Sequence, residues 1–285
     1  MSEIQNVAVI GAGQMGSGIA QVIAQAGIPV ILRDLNTEVL DRALGGIGRK
    51  LEKSVSKGRI TADEKNEILS RIQGKTSLDG FEQADLIIEA ATENEGLKKK
   101  IFVEVDGVLK EDAILASNTS SISITRLASV TRFPEKFIGM HFMNPVPVMK
   151  LVEIIPGLAT SDMTYQRIRT FAERLGKTTV KSDDQPGFIV NRVLLPMINE
   201  AIFALADSLA SPEDIDTAMK LGTNQPMGPL ALADFIGLDT CLSIMEVLHE
   251  GLGDTKYRPA PLLRRYVDAG WLGTKTGRGF YRYEK

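Results

Sequence analysis

The chain has 285 residues but only one cysteine, Cys241, and two histidines, His141 and His249. A single thiol excludes an internal disulfide, and it says of the compartment only that a reducing one is tolerated. A strong charge of one sign is lacking too: 33 Lys and Arg stand against 36 Asp and Glu, with a formal net charge of −3 and a pI near 5.6. That balance gives no electrostatic reason to expect nucleic acid. Apolar runs long enough to span a bilayer are missing, each being short or broken by charge. Strand-like sequence starts at Asn6, which leaves no room for a signal peptide. A soluble, cytoplasmic protein with no metal site, no membrane contact and no nucleic-acid partner is the expectation. What the chain does have is 44% hydrophobic and 24% charged residues, ample for a core, at a length that suggests about two domains.

The first half reads as a nucleotide-binding sheet. Val7-Ala8-Val9-Ile10 is a β-rich run followed at once by Gly11-Ala12-Gly13-Gln14-Met15-Gly16, a helical stretch to about Ala26, and a second apolar run, Val30-Ile31-Leu32. That run ends at Asp34, 18 residues beyond the last motif glycine. Gly11 permits the tight turn, Gly13 lets backbone approach a pyrophosphate, and Gly16 lets helix and strand pack closely. The helix N-terminus, from Gln14 and Met15, offers N–H groups and a positive dipole end to the phosphates. Asp34 can accept hydrogen bonds from both ribose hydroxyls and would repel a 2′-phosphate, so NAD is favoured over NADP. Arg33 beside it could meet a 2′-phosphate, but a solvated strand-end charge is the more common role of such a residue.

The alternation continues. Asp85–Ala90 and Ala113–Ser117 read as buried parallel strands separated by a charged helical stretch from about Asn94 to Lys110. A doubly wound α/β domain follows, with ligands beyond the carboxyl ends of its strands. Those ends carry Ala90–Asn94, Ser117–Ser121 and His141. His141 is the odd residue, because Phe137-Ile138-Gly139-Met140-His141-Phe142-Met143 is otherwise an apolar strand. A lone histidine there is more often a hydrogen-bonded core residue than a catalyst. Downstream, however, Glu153 is the one carboxylate in another apolar run, Val148–Ile155. A base and an orienting acid are what general acid–base chemistry requires.

Between Asp34 and Asp85 lies a charged insertion in which Lys50, Lys53 and Lys57 share one face of an expected helix. On the residues alone such a face is more often solvated, though it could also meet a polyanionic substrate. After an edge strand at Lys177–Val180 and a turn-rich boundary at Ser182–Gly187, strand signals cease. Long helices are expected over Phe188–Ser208, kinked by Pro196, then near Pro212–Leu221, Gly228–Phe235, Leu238–Gly251 and Pro261–Ala269. The expected domains are therefore 1–184 and 185–285. So much apolar helix in so few residues suggests a homodimer through the second domain. Asn191 could hold a substrate oxygen or be a satisfied core amide.

Together these residues resemble the L-3-hydroxyacyl-CoA dehydrogenase family, most closely its short-chain 3-hydroxybutyryl-CoA members, over nearly the whole chain. The resemblance rests on the glycine opening, Ser117-Asn118-Thr119-Ser120-Ser121, Gly139-Met140-His141-Phe142-Met143-Asn144-Pro145, Pro186–Arg192 and Gly273–Tyr281. It implies a Rossmann-type NAD-binding domain followed by an all-α domain, and an acyl-CoA substrate. It implies a catalytic dyad of His141 and Glu153, with Ser120 and Asn191 on the substrate oxygen. Asn144 falls near the nicotinamide, Glu93 and Lys98 at the cofactor cleft, and Lys275 on the cofactor side. The lysine stripe falls where relatives receive CoA. Two other readings stay open: a dehydrogenase of free 3-hydroxy acids, and a non-catalytic NAD-binding protein on the same scaffold.

Overall fold

Short apolar runs, each ended by glycine or polar residues, generate a single sheet in the first part of the computed structural model, which describes residues 3–283. In chain order its elements are β1 (Val7–Ile10), α1 (Gln14–Gln25), β2 (Val30–Arg33), α2 (Thr37–Ser56), α3 (Ala62–Ser70), β3 (Ile72–Lys75) and β4 (Leu86–Glu89). There follow α4 (Glu95–Asp106), β5 (Ile114–Ser117), α5 (Ile124–Ala128), β6 (Phe137–Phe142), β7 (Leu151–Pro156), α6 (Asp162–Arg174) and β8 (Thr178–Lys181). The strand order is β3-β2-β1-β4-β5-β6-β7-β8. β1 to β6 run parallel, whereas β7 is antiparallel to β6 and β8 runs parallel to β7.

The central strands β1, β4 and β5 are buried at every residue, as strands covered on both faces must be, and they read as continuous apolar sequence for that reason. On one face Ile19 and Ile23 of α1, Ile47 and Leu51 of α2 and Ile168 and Phe171 of α6 join Val9, Ile88 and Met140 in one core. Elsewhere Phe102 of α4 meets Phe137 of β6 edge-on, ring centroids 4.7 Å apart. The outer strands β3 and β8 are the polar ones, Ile72-Gln-Gly-Lys and Thr-Thr-Val-Lys181, as edges tolerate. β3 has too little apolar character to be expected from its sequence; its parallel pairing with β2 makes it a strand.

A second unit begins at Pro186 and is helical: α7 (Val190–Ala206), α8 (Pro212–Gly222), α9 (Pro229–Ile236), α10 (Leu238–Leu252) and α11 (Pro261–Asp268). Leu195, Ile198 and Ile202 of α7 pack with Leu230, Cys241, Met245, Leu248 and Leu263. Burial, with Asp239 nearby, pushes the Cys241 thiol up to about 12. Two buried carboxylates tie the final segment to this bundle. Asp216 accepts hydrogen bonds from Leu230 N, Ala231 N and the Tyr281 hydroxyl, and Asp234 from Phe280 N, Tyr281 N and the Tyr283 hydroxyl. The expected architecture of a doubly wound α/β domain followed by an all-α one is thus observed. Among the described residues no helix is long and apolar enough to cross a membrane.

Candidate active site

The glycine turn follows β1 as expected, and its three glycines answer to different constraints. Gly11 has φ +96°, a conformation that favours glycine, and a Cβ there would sit 2.7 Å from the Ala90 carbonyl oxygen. At Gly16 a Cβ would come within 1.7 Å of the Gly11 carbonyl oxygen, so α1 can lie against the turn only without one. Gly13 differs: beyond its own chain neighbours, no atom of the described residues lies within 4 Å of where its Cβ would be. Packing within the protein therefore does not explain that glycine, whereas a phosphate lying against the backbone does. Gly13 is also the N-cap of α1, with no side chain capping it and no acid in the first turn, which leaves the helix end suited to an anion. NAD fits this cradle.

Asp34 lies just past the end of β2. Its Oδ2 accepts a hydrogen bond from Ala12 N at 2.8 Å and its Oδ1 one from Asn36 N at 3.3 Å. These two amides fix the carboxylate beside the glycine turn with lone pairs left for ribose hydroxyls. Arg33 is not the solvated charge its position suggests. It is 6% exposed and its guanidinium meets Glu104 Oε1 of α4 at 3.3 Å. As the last residue of β2 its side chain is carried inward, where Glu104 takes its charge.

Polar residues gather at the carboxyl ends of β4 and β5. Glu93 Oε1 accepts from the Thr119 hydroxyl at 2.6 Å, from Ser120 N at 2.8 Å and its hydroxyl at 3.1 Å, and from Ser121 N at 3.1 Å. Lys98 Nζ lies 3.5 Å from Glu93 Oε2. Burial alone would push the Glu93 carboxyl up, but Lys98 and these donors together hold it below the usual range. One residue not anticipated completes the cluster. Glu89, the last residue of β4, is fully buried and lies 2.7 Å from Lys98 Nζ, itself 1% exposed. Removing one member of such a buried pair typically costs about 3–5 kcal/mol.

His141 and Glu153 stand opposite each other in the antiparallel pairing of β6 and β7, with His141 Nδ1 2.7 Å from Glu153 Oε2. His141 is 7% exposed and Glu153 0%. A carboxylate only accepts, so Nδ1 carries the proton toward Glu153 and Nε2 is the basic nitrogen. The amide of the next residue, Phe142, donates to Asn118 Oδ1 at 2.9 Å, which ties β6 to the serine loop. Gln14 Nε2 donates to Asn144 Oδ1 at 3.0 Å, tying the loop after β6 to the start of α1. The same loop is held from beneath by Lys177, which is 8% exposed and donates to the carbonyls of Val146 and Met149 at 2.6 and 2.8 Å. Burial holds that ammonium below the usual lysine range.

Comparison with known proteins places the chain in a family. Residues 6–185 match the model of the 3-hydroxyacyl-CoA dehydrogenase NAD binding domain, and residues 187–283 that of the 3-hydroxyacyl-CoA dehydrogenase C-terminal domain. The chain belongs to the 3-hydroxyacyl-CoA dehydrogenase family. It is 58% identical over 98% of its length to a 3-hydroxybutyryl-CoA dehydrogenase of Bradyrhizobium diazoefficiens, covering 96% of that protein. A 3-hydroxybutyryl-CoA dehydrogenase of Clostridioides difficile is 50% identical, with 98% of this chain and 99% of that one covered. Among solved structures, the (S)-3-hydroxybutyryl-CoA dehydrogenase of Ralstonia eutropha superposes with a TM-score of 0.97 at 52% identity, over 99% of this chain and 100% of that one.

The other residues singled out in the sequence belong to other elements. Asn191 is in the first turn of α7 and 8% exposed. Lys275, beyond α11, donates to Asp239 Oδ1 at 2.7 Å and Thr240 Oγ1 at 3.1 Å. Lys50, Lys53 and Lys57 are exposed, the first two on α2 and Lys57 at its C-cap rather than on the helix itself. Glu89, Asn118 and Lys177 are the positions sequence reasoning passes over. For Glu89 a signal existed: an acid ending an apolar strand, the same feature that marks Asp34.

Proposed function

We propose that this chain oxidises the 3-hydroxyl of a (3S)-3-hydroxyacyl-CoA to the 3-oxoacyl-CoA, reversibly and with NAD, its short-chain pair being 3-hydroxybutanoyl-CoA and acetoacetyl-CoA. The observation that carries the reading is the 2.7 Å His141–Glu153 contact at the carboxyl end of the sheet, in a chain of this family. When bound, NAD supplies the acceptor for the hydrogen that leaves C3. Its ribose is held by Asp34 and its phosphates by the turn of Gly11, Gly13, Gln14, Met15 and Gly16. Glu93, Lys98, Asn144 and Lys275 are the further cofactor-side residues of this reading.

His141 takes the proton of the 3-hydroxyl through Nε2, and Glu153 stabilises the imidazolium that forms. Ser120 and Asn191 hold the oxygen so that C3 stays aligned. In the reduction His141 returns its proton to the oxygen. Lys50, Lys53 and Lys57 receive the phosphates of CoA. The working form is a homodimer, supported by large apolar side chains exposed on the helical unit: Val193 at 68%, Leu209 at 77%, Leu221 at 81% and Phe235 at 52%. A sedimentation mass of one chain at micromolar concentration would remove the dimer.

The deciding assay follows NADH oxidation with acetoacetyl-CoA, with free acetoacetate, and with no substrate. Turnover with acetoacetyl-CoA alone is expected. Equal turnover of free acetoacetate would favour a hydroxy-acid dehydrogenase, and NADH binding without turnover of either would leave a non-catalytic scaffold.

A further inference from the structure

Glu89 has no part in the chemistry above, yet it is buried as fully as Glu153. It is 0% exposed, and each of its carboxylate oxygens is engaged. Oε1 accepts from Lys98 Nζ and from Ala91 N, both at 2.7 Å, and Oε2 accepts from the Ser117 hydroxyl at 2.7 Å. A charge buried this fully is costly unless its partners are fixed, so the arrangement is rigid in a way a surface pair is not. Each partner leads to the rim of the sheet. Ala91 opens the loop after β4 that carries Glu93, and the Ala90 carbonyl before it faces Gly11. Ser117 ends β5, and its hydroxyl also receives Thr119 N at 3.3 Å. Lys98 spans from Glu89 to Glu93, and Glu93 in turn gathers the amides and hydroxyls of Ser120 and Ser121.

We propose that Glu89 is a positioning residue for the cofactor side of the site: its buried carboxylate aims the Lys98 ammonium at Glu93 and so sets the loop 119–121. The inference rests on the dehydrogenase reading for what the loop and Lys98 serve, but the geometry of the tether stands without it. With a neutral amide at 89, Lys98 keeps Glu93 as its carboxylate partner, and the ammonium moves toward the rim. Glu93 then loses its fixed relation to Ser120, and the cofactor meets a loop that must be ordered on binding. A misplacement of this size is felt in affinity more than in the proton-transfer step itself, which His141 performs from a different strand.

The test compares wild type with Glu89→Gln and Glu89→Asp, the second keeping the charge but retracting it by one methylene. The NADH dissociation constant is measured by nicotinamide fluorescence without acyl-CoA, well below the melting temperature of each variant. KM for NADH and kcat with acetoacetyl-CoA are measured beside it. Glu89→Gln is expected to raise the dissociation constant and KM about 10-fold or more, with a smaller change in kcat, and Glu89→Asp to fall between it and wild type. Folded variants with wild-type dissociation constants, whatever their melting temperatures, would overturn the proposal and leave Glu89 a purely structural ion. Should Glu89→Gln not fold, Glu89→Asp decides by the same criterion. Wild type that binds NADH but does not reduce acetoacetyl-CoA would sink the dehydrogenase reading and leave the positioning result to be judged on the dissociation constants alone.

Discussion

His141 and Glu153 are register partners across β6 and β7, and the sheet itself sets their 2.7 Å contact. A pair on adjacent strands is held by ladder hydrogen bonds on both sides, so neither ring nor carboxylate depends on a loop for its aim. His141→Gln should cut kcat by about 10²–10⁴-fold, the usual worth of a positioned general base. Glu153→Gln should cost less, because an amide can still accept from Nδ1 but stabilises the imidazolium poorly. Steady-state kinetics with acetoacetyl-CoA check both, and a His141→Gln enzyme with nearly unchanged kcat would remove the assignment.

The glycine turn allows packing and ligand contact to be separated by one methyl group. Gly16→Ala places a Cβ against the Gly11 carbonyl, so α1 must shift and stability should fall by about 1–3 kcal/mol, as overpacking typically costs. Gly13→Ala meets nothing among the described residues, so its melting temperature should stay near that of wild type while the affinity for NADH drops. Thermal melts beside fluorescence titrations make the comparison. Equal NADH affinity in wild type and a folded Gly13→Ala protein would show that the phosphates do not lie there.

Much of this arrangement is legible in the amino-acid sequence, and the exceptions have physical causes. β1, β2, β4, β5 and β6 announce themselves because strands buried on both faces read as apolar runs, with what polar residues they carry standing at or near their carboxyl ends. β3 does not, since Gln73, Gly74 and Lys75 lie at an edge and take their conformation from β2. His141 and Glu153 are visible as polar residues in apolar runs, but twelve positions of separation do not say that they face each other; the antiparallel turn of β7 does. Arg33 misleads because a charge at a strand end usually reaches water, and here Glu104, far along the chain, brings it inward. Glu89 carries the same local mark as Asp34, but its importance lies in Lys98 and Ser117, which only the fold brings to it.

Asp34 offers a check on the choice of cofactor. Its carboxylate already holds Ala12 N, so Asp34→Ala should loosen the turn as well as lose the ribose contact. KM for NAD is expected to rise about 10-fold or more, the scale of a lost hydrogen bond to a charged group, with kcat at saturating cofactor much less affected. NADP should remain a poor substrate for wild type, because Arg33 is committed to Glu104 rather than turned outward. Comparable kcat/KM for NAD and NADP in wild type would contradict this account of Asp34 and Arg33.

The second unit makes a prediction about pH. Burial pushes the Asp234 carboxyl above its ordinary value, and the neighbouring Asp216 adds to this, while Phe280 N, Tyr281 N and the Tyr283 hydroxyl pull the other way without cancelling it. With the folded value above the unfolded one, the folded state binds the proton more readily. The stabilising contribution is therefore full below the unfolded value and is lost as pH rises through the folded one. Asp234→Asn abolishes the titration, and its amide also presents N–H to donors, so the variant should be less stable at every pH. The decisive quantity is the stability difference between wild type and Asp234→Asn, from urea unfolding at several pH values between roughly 4 and 7. That difference should widen as pH falls, because only wild type gains from protonation at this site. A difference that narrows on acidification would mean that the carboxylate is better served by its three donors than its burial suggests, with the Gly273–Tyr283 segment anchored by an ion rather than by a carboxyl that shares its proton with the fold.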